Sequence, residues 1–218
     1  MTKAEHSERP VERDELKRSV VAHYEARLRE HGPGARGMDW KDERSQRLRF
    51  EVLLEGLGVE GRTLHDVGCG GGHLYDHLRE RGIDARYRGT DLSAEMIAAA
   101  RARHPAVSFE RADLLVDELA PADVLVTSGL FHVKLANSDA AWDEFVRDML
   151  RRMFALARDA LAFNLMSDQV DFRVPELYYT SPAETLAFCQ RELSRHVRLR
   201  HDYPLHEYTV HVHRAPTR

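Results

Sequence analysis

Leu64-His65-Asp66-Val67-Gly68-Cys69-Gly70-Gly71-Gly72-His73 is the stretch whose reading decides the fold. A short apolar strand with one acidic residue breaks into a glycine run and gives way to a helical pattern from His73 to Arg81. Gly68 and Gly70 let the chain turn sharply and let a ligand approach where a Cβ would intrude. The following helix offers unpaired N–H groups and the positive end of its dipole. Strand, glycine turn and helix in that order make a nucleotide-type site at the carboxyl end of the first strand of an open α/β sheet. A dinucleotide fingerprint reads G-x-G-x-x-G, and its third glycine falls here on His73. Asp66, two residues ahead of the first glycine, narrows the ligand further. A carboxylate repels a pyrophosphate and attracts an ammonium group, directly or through water.

Three further stretches follow in order. Ala85 to Thr90 is strand-like and ends on Asp91, after which Leu92-Ser93-Ala94-Glu95-Met96-Ile97 opens a helix. A carboxylate at the end of a second strand accepts the hydroxyls of a ribose. Phe109-Glu110-Arg111-Ala112-Asp113-Leu114 supplies a third acidic residue, and the run from Ala122 to His132 reads as a buried strand and its exit loop. These four motifs, across residues 62–132, resemble the class I S-adenosylmethionine (SAM)-dependent methyltransferases. The resemblance implies a three-layer α/β sandwich whose mostly parallel seven-stranded sheet has an antiparallel last strand. It implies SAM as cofactor and S-adenosylhomocysteine (SAH) as product. Asp66 then faces the SAM ammonium, Asp91 the ribose and Asp113 the adenine amino group. Gly68, Cys69, Gly70, Leu92, Met96, Ala112, Leu114 and Ser128 complete the cofactor set.

With 218 residues the chain suits one globular unit with a core of its own. We read residues 1–12 as a disordered tail, 13–60 as an N-terminal helical cap or lid, and 61–218 as the methyltransferase domain. The formal charge is −4, from 32 basic and 36 acidic residues scattered along the chain, so no nucleic-acid or membrane partner is expected. Met1 to Arg18 lacks the apolar run of a secretory signal, and no stretch reaches the ~20 apolar residues of a membrane span. Two cysteines, Cys69 and Cys189, fit a reducing compartment. The expectation is a cytoplasmic monomer or homodimer.

Ahead of the glycine strand, Leu16, Val20, Val21, Tyr24 and Leu28 recur at helical spacing from Glu12 to Glu30, and Gly32-Pro33-Gly34 stops that helix. A flexible segment leads to Trp40, and a second helix covers 41–57. The run from Met38 to Phe50 resembles a subgroup of small bacterial methyltransferases, a likeness that brings no firm substrate. N-terminal helices fold over the cofactor mouth in this family, which assigns Trp40 and Arg49 to the SAM carboxylate and Gln46 to the acceptor pocket. The plainer alternative makes Trp40 a staple and Arg49 a solvated side chain.

Methyl transfer asks the protein to position a nucleophile and, for a protonated one, to remove its proton. His132, just past the fourth strand, is the candidate general base, because imidazole titrates near neutral pH. Phe131, Asn164, Tyr179 and Tyr203 are candidates for the substrate pocket, with Tyr178 and Glu207 as further pocket residues. His211 and His213 share a strand face, yet no third ligand stands at supporting spacing, so no metal is expected. Thr127-Ser128-Gly129-Leu130 lacks the N-P-P-Y-like motif of members that methylate nucleobases or protein amides. The reading is methyl transfer to oxygen or nitrogen of a small molecule. The alternatives are a SAM-binding subunit without turnover and, disfavoured by Asp66, an NAD-dependent oxidoreductase.

Overall fold

The structure is a computed structural model that describes residues 5–216, with side chains described for 13–216. The first helix, α1 (Glu5–His31), starts ahead of the expected Glu12; of the expected tail, residues 1–4 lie outside the described residues. A 3₁₀ turn, Ala35–Met38, and α2 (Glu43–Leu54) follow. The sheet region comprises β1 (Thr63–Val67), α3 (His73–Glu80), β2 (Arg86–Asp91), α4 (Ala94–Arg103), β3 (Ser108–Arg111), β4 (Ala122–Thr127), α5 (Asp139–Leu156) and β5 (Ala157–Ser167). It closes with β6 (Tyr179–Thr180), α6 (Pro182–Glu192), β7 (His196–Arg200) and β8 (Glu207–His213).

The strand order is β3-β2-β1-β4-β5-β8-β7, and the two-residue β6 adds to the end of β5. β1 to β5 pair in parallel, while β8 lies antiparallel between β5 and β7. The expected last-strand insertion is therefore present, and β6 is an eighth strand too short to leave a periodic signal.

Alternation along the central strands sorts the core into two layers. Val124, Val126, Ala160 and Ala162 face one side, packed with Phe50 and Leu53 of α2, Leu74 and Leu78 of α3 and Ile97 of α4. Leu125, Leu161 and Phe163 face the other, packed with Trp142, Leu150 and Met153 of α5 and Phe188 of α6. Helix starts follow their capping residues: Ser93, Ser138 and Ser181 each accept a hydrogen bond from the N–H three positions on. The order reverses between β1 and β4, so the loops leaving these neighbours run to opposite faces and open a crevice at their carboxyl ends.

Candidate active site

One cavity occupies that crevice, with about 1060 Å³ of non-atom space including its mouth. Its floor is the glycine loop after β1, where Gly68 (φ 71°) and Gly70 (φ 51°) adopt the left-handed conformation that favours glycine. A Cβ on Gly68 would lie 2.8 Å from Leu130, so the close approach of the β1 and β4 loops also demands glycine.

Three strand-end carboxylates stand around this floor. Asp66 on β1 accepts a hydrogen bond from Tyr87 Oη at 2.7 Å. Burial raises its pKa to about 7, against the lowering effect of that hydrogen bond. Asp91, at the end of β2, accepts the N–H of Gly70 at 3.0 Å and of Ser93 at 2.9 Å, and so ties the glycine loop to the start of α4. Burial pushes its pKa up as well. Asp113, after β3, accepts from the N–H of Leu115 at 3.0 Å and from Lys17 Nζ at 2.6 Å.

The N-terminal elements form the opposite wall. Lys17, Val20, Val21 and Tyr24 of α1 line the cavity, as do Met38, Trp40, Gln46 and Phe50. The Met38 thioether accepts the N–H of Gly71 at 3.2 Å, fixing the 3₁₀ turn to the glycine loop. The Trp40 indole packs against Gly129, where any Cβ would collide with it. The Arg49 guanidinium lies over the Trp40 ring, 4.4 Å from the indole centroid.

Behind Trp40 lies a second, buried group of polar side chains. Arg49 Nε meets Glu207 Oε1 at 2.8 Å, with Glu207 1% exposed. His132 Nε2 lies 3.6 Å from Glu207 Oε2 and meets the Trp40 ring edge-on at 6.1 Å between centroids. The Asn164 side chain hydrogen-bonds Glu207 and accepts the Gly129 N–H at 2.8 Å. Burial, then the Arg49 charge, lowers the His132 pKa to about 3, so its imidazole is neutral. Burial raises that of Glu207, against the pull of Arg49. Nε2 of His132 and Nη1 of Arg49 are both buried without a hydrogen-bond partner.

A sequence profile described as a methyltransferase domain matches residues 65–153. A protein of Mycobacterium tuberculosis, provisionally named a methyltransferase, is 35% identical over 162 residues, which cover 70% of this chain and 93% of that protein. The chain belongs to the SAM-dependent methyltransferases. Its methyl donor is SAM, and it is an enzyme of class I. Trans-aconitate 2-methyltransferase of Afipia carboxidovorans is 32% identical over 96 residues, 43% of this chain but only 37% of that enzyme. The solved DhpI–SAH complex shares the fold, with a TM-score of 0.62 at 20% identity over 93% of this chain and 98% of that one.

Every cofactor candidate from this methyltransferase's sequence except Arg49 lines the one cavity: Asp66, Gly68, Cys69, Gly70, Asp91, Leu92, Met96, Ala112, Asp113, Leu114, Ser128 and Trp40. Arg49 does not line it, and its guanidinium pairs with Glu207. Of the acceptor candidates, Gln46 lines the cavity; Phe131, His132, Asn164, Tyr179 and Tyr203 do not. Phe131 is a fully buried core side chain whose carbonyl accepts the Trp142 indole N–H at 2.9 Å. Tyr203 Oη is engaged with Thr209 Oγ1 at 2.9 Å, and Tyr179 Oη accepts the Val174 N–H at 3.0 Å. His211 Nε2 is spoken for by the carbonyls of Val52 and Leu53 at 3.1 and 3.2 Å. Among the described residues no group of three or more His, Cys, Asp or Glu converges as a metal site. Lys17, Tyr24 and Met38 went unread as site residues. For Lys17 and Tyr24 the only signal was the helical periodicity of α1, which says which side is buried but not what it covers; Met38 opens the run Met38–Phe50, whose resemblance gave it no role.

Proposed function

We propose that this methyltransferase transfers a methyl group from SAM to oxygen or nitrogen of a small molecule, using the cavity between β1 and β4. The observation that carries the reading is the set of three carboxylates, Asp66, Asp91 and Asp113, at successive strand ends around one glycine loop. Their chemistry fits the cofactor. Asp66 suits an ammonium, and the unused lone pairs of Asp91 and Asp113 suit ribose hydroxyls and an exocyclic amine. The glycine floor leaves the backbone bare where the cofactor's amino-acid portion approaches. When bound, SAM supplies an already activated methyl group.

The chain's own residues then have to orient an acceptor and exclude water. Trp40, Ser128, Gly129 and Leu130 line the cavity at the exit of β4, and this is the acceptor end. His132 is the side chain nearest that end with a neutral, partner-free nitrogen, the form a general base needs. Trp40 stands between it and the cavity, so its use as a base requires the indole to move. Small-molecule chemistry draws support from the match to a trans-aconitate methyltransferase, which acts on a small acid.

Calorimetry with SAM, SAH and NAD tests the reading. SAM and SAH are expected to bind and NAD to give no heat; tight NAD binding without SAM binding overturns it.

A further inference from the structure

Lys17 has no role in the sequence motifs, yet it is the lysine or arginine that lines the cavity. It sits on α1, is 8% exposed, and lines the cavity together with the carboxylate it contacts. Its ammonium meets Asp113 Oδ2 at 2.6 Å, and Asp14 follows at 3.9 Å. Burying an ammonium is costly unless it is paired, so the geometry here is a specific device and no accident of a solvated helix face.

The rest of α1 shows what that device holds. Leu16 and Lys17 are the buried residues among its described side chains. The apolar grip of α1 is therefore thin, and polar contacts carry much of its attachment. Glu25 accepts the Ser93 hydroxyl at 2.8 Å, and Arg29 forms a paired contact with Glu95 on α4. At the far end Arg13 reaches Asp148 of α5 at 2.6 Å. Below α1, the 3₁₀ turn ends at Asp39, held in the left-handed region (φ 60°) and bound back to His23 and Arg27. Two members of this set have partners that line the cavity, Glu25 with Ser93 and Lys17 with Asp113, and only the Lys17 contact pairs opposite charges.

The cavity persists with the Lys17–Asp113 contact closed. Lys17 therefore lines the cavity without filling it. A carboxylate has about four lone-pair sites, and Lys17 and the Leu115 N–H engage Asp113 without exhausting them. We infer that Lys17 is a cofactor-retaining clasp. It closes α1 over the adenine end, fixes the Asp113 carboxylate for the cofactor's exocyclic amine, and must open for the nucleoside to enter or leave. This inference rests on the reading of the cavity as the SAM site.

The test measures SAH binding by calorimetry and SAH dissociation by stopped flow in the wild type and in Lys17→Met, Lys17→Arg and Arg13→Met. Lys17→Met is expected to bind SAH about tenfold more weakly, chiefly through faster dissociation, because a charge-assisted contact is lost. Lys17→Arg keeps the charge and restores most of the affinity. Arg13→Met loosens α1 away from the cavity and leaves SAH binding at the wild-type level. Thermal melts identify any variant that fails to fold, and the Arg variant then carries the comparison with the wild type. Unchanged or tighter SAH binding by folded Lys17→Met overturns the clasp while leaving the cofactor site standing. An equal loss in Arg13→Met reduces Lys17 to one strut among several and also overturns it. A wild type that binds no SAH removes both the clasp and the cofactor reading beneath it.

Discussion

The two ends of the crevice are built on different plans. At the glycine-loop end, each carboxylate stands at or just past the end of its own strand, and separate donors satisfy each: Tyr87 Oη for Asp66, the Gly70 and Ser93 N–H groups for Asp91, and the Leu115 N–H with Lys17 Nζ for Asp113. Behind Trp40, Arg49 of α2, His132 after β4, Asn164 of β5 and Glu207 of β8 converge from far apart in the chain, and side chains pair with one another while His132 Nε2 and Arg49 Nη1 keep no hydrogen-bond partner. The first plan leaves the carboxylates facing open space. The second turns charge inward, away from the cavity, and covers it with Trp40. One end is arranged to receive a polar ligand as the chain folds; the other must rearrange to expose its polar groups.

The sharpest way to break this comparison is Glu207→Ala. It leaves Arg49 buried without its partner, so stability should fall by about 3–5 kcal/mol in denaturant unfolding. SAH affinity should not change, and a parallel loss of affinity would merge the two ends into one site. His132→Ala should lower turnover on an identified acceptor by about 10²–10⁴-fold with SAH affinity intact. Near-wild-type turnover would leave positioning as the whole of catalysis.

At the cofactor end, Asp91→Ala should weaken SAH binding by about 1.5–3 kcal/mol, the range for hydrogen bonds to a charged group. It should also soften the glycine loop, since Gly70 N–H loses its acceptor. A change of less than twofold would remove Asp91 from the ribose.

The pH dependence of SAH affinity is a finer probe of the same end. The Asp66 pKa stands at about 7 without ligand, because burial favours the neutral acid. An ammonium favours the carboxylate, so binding must release a proton at pH values below 7. Affinity should therefore fall by up to about tenfold per pH unit below 7 and level off above it. The binding enthalpy at pH 6 should vary with the ionisation enthalpy of the buffer. A pH-independent affinity between pH 6 and 8 would mean that Asp66 does not meet the ammonium.

The smallest expected signal lies in the segment joining α1 to α2. Hydrogen exchange over residues 30–50 should slow when SAH binds, because Met38 and Trp40 both close on the loops around the cavity. Unchanged protection would make this segment a fixed wall.

The glycine-loop end of the cavity, where we propose the cofactor binds, was legible along the chain. Its groups are tied to local signals: a glycine run after a strand, an acidic residue where a strand stops, a serine that starts a helix. Backbone geometry places such residues regardless of what packs around them, which is why Asp66, Asp91 and Asp113 could be read in order along the chain. Only tertiary structure decided the rest. Arg49 had the position of a ligand-binding residue and became half of a buried ion pair, because β8 brings Glu207 against α2 from the other end of the chain. Phe131 had the address of a pocket residue and became core. Lys17 read as one charge on an amphipathic helix and became a wall of the cavity. For Arg49 and Lys17 the deciding partner lies more than 90 residues away, and no periodicity or local motif encodes a contact at that distance.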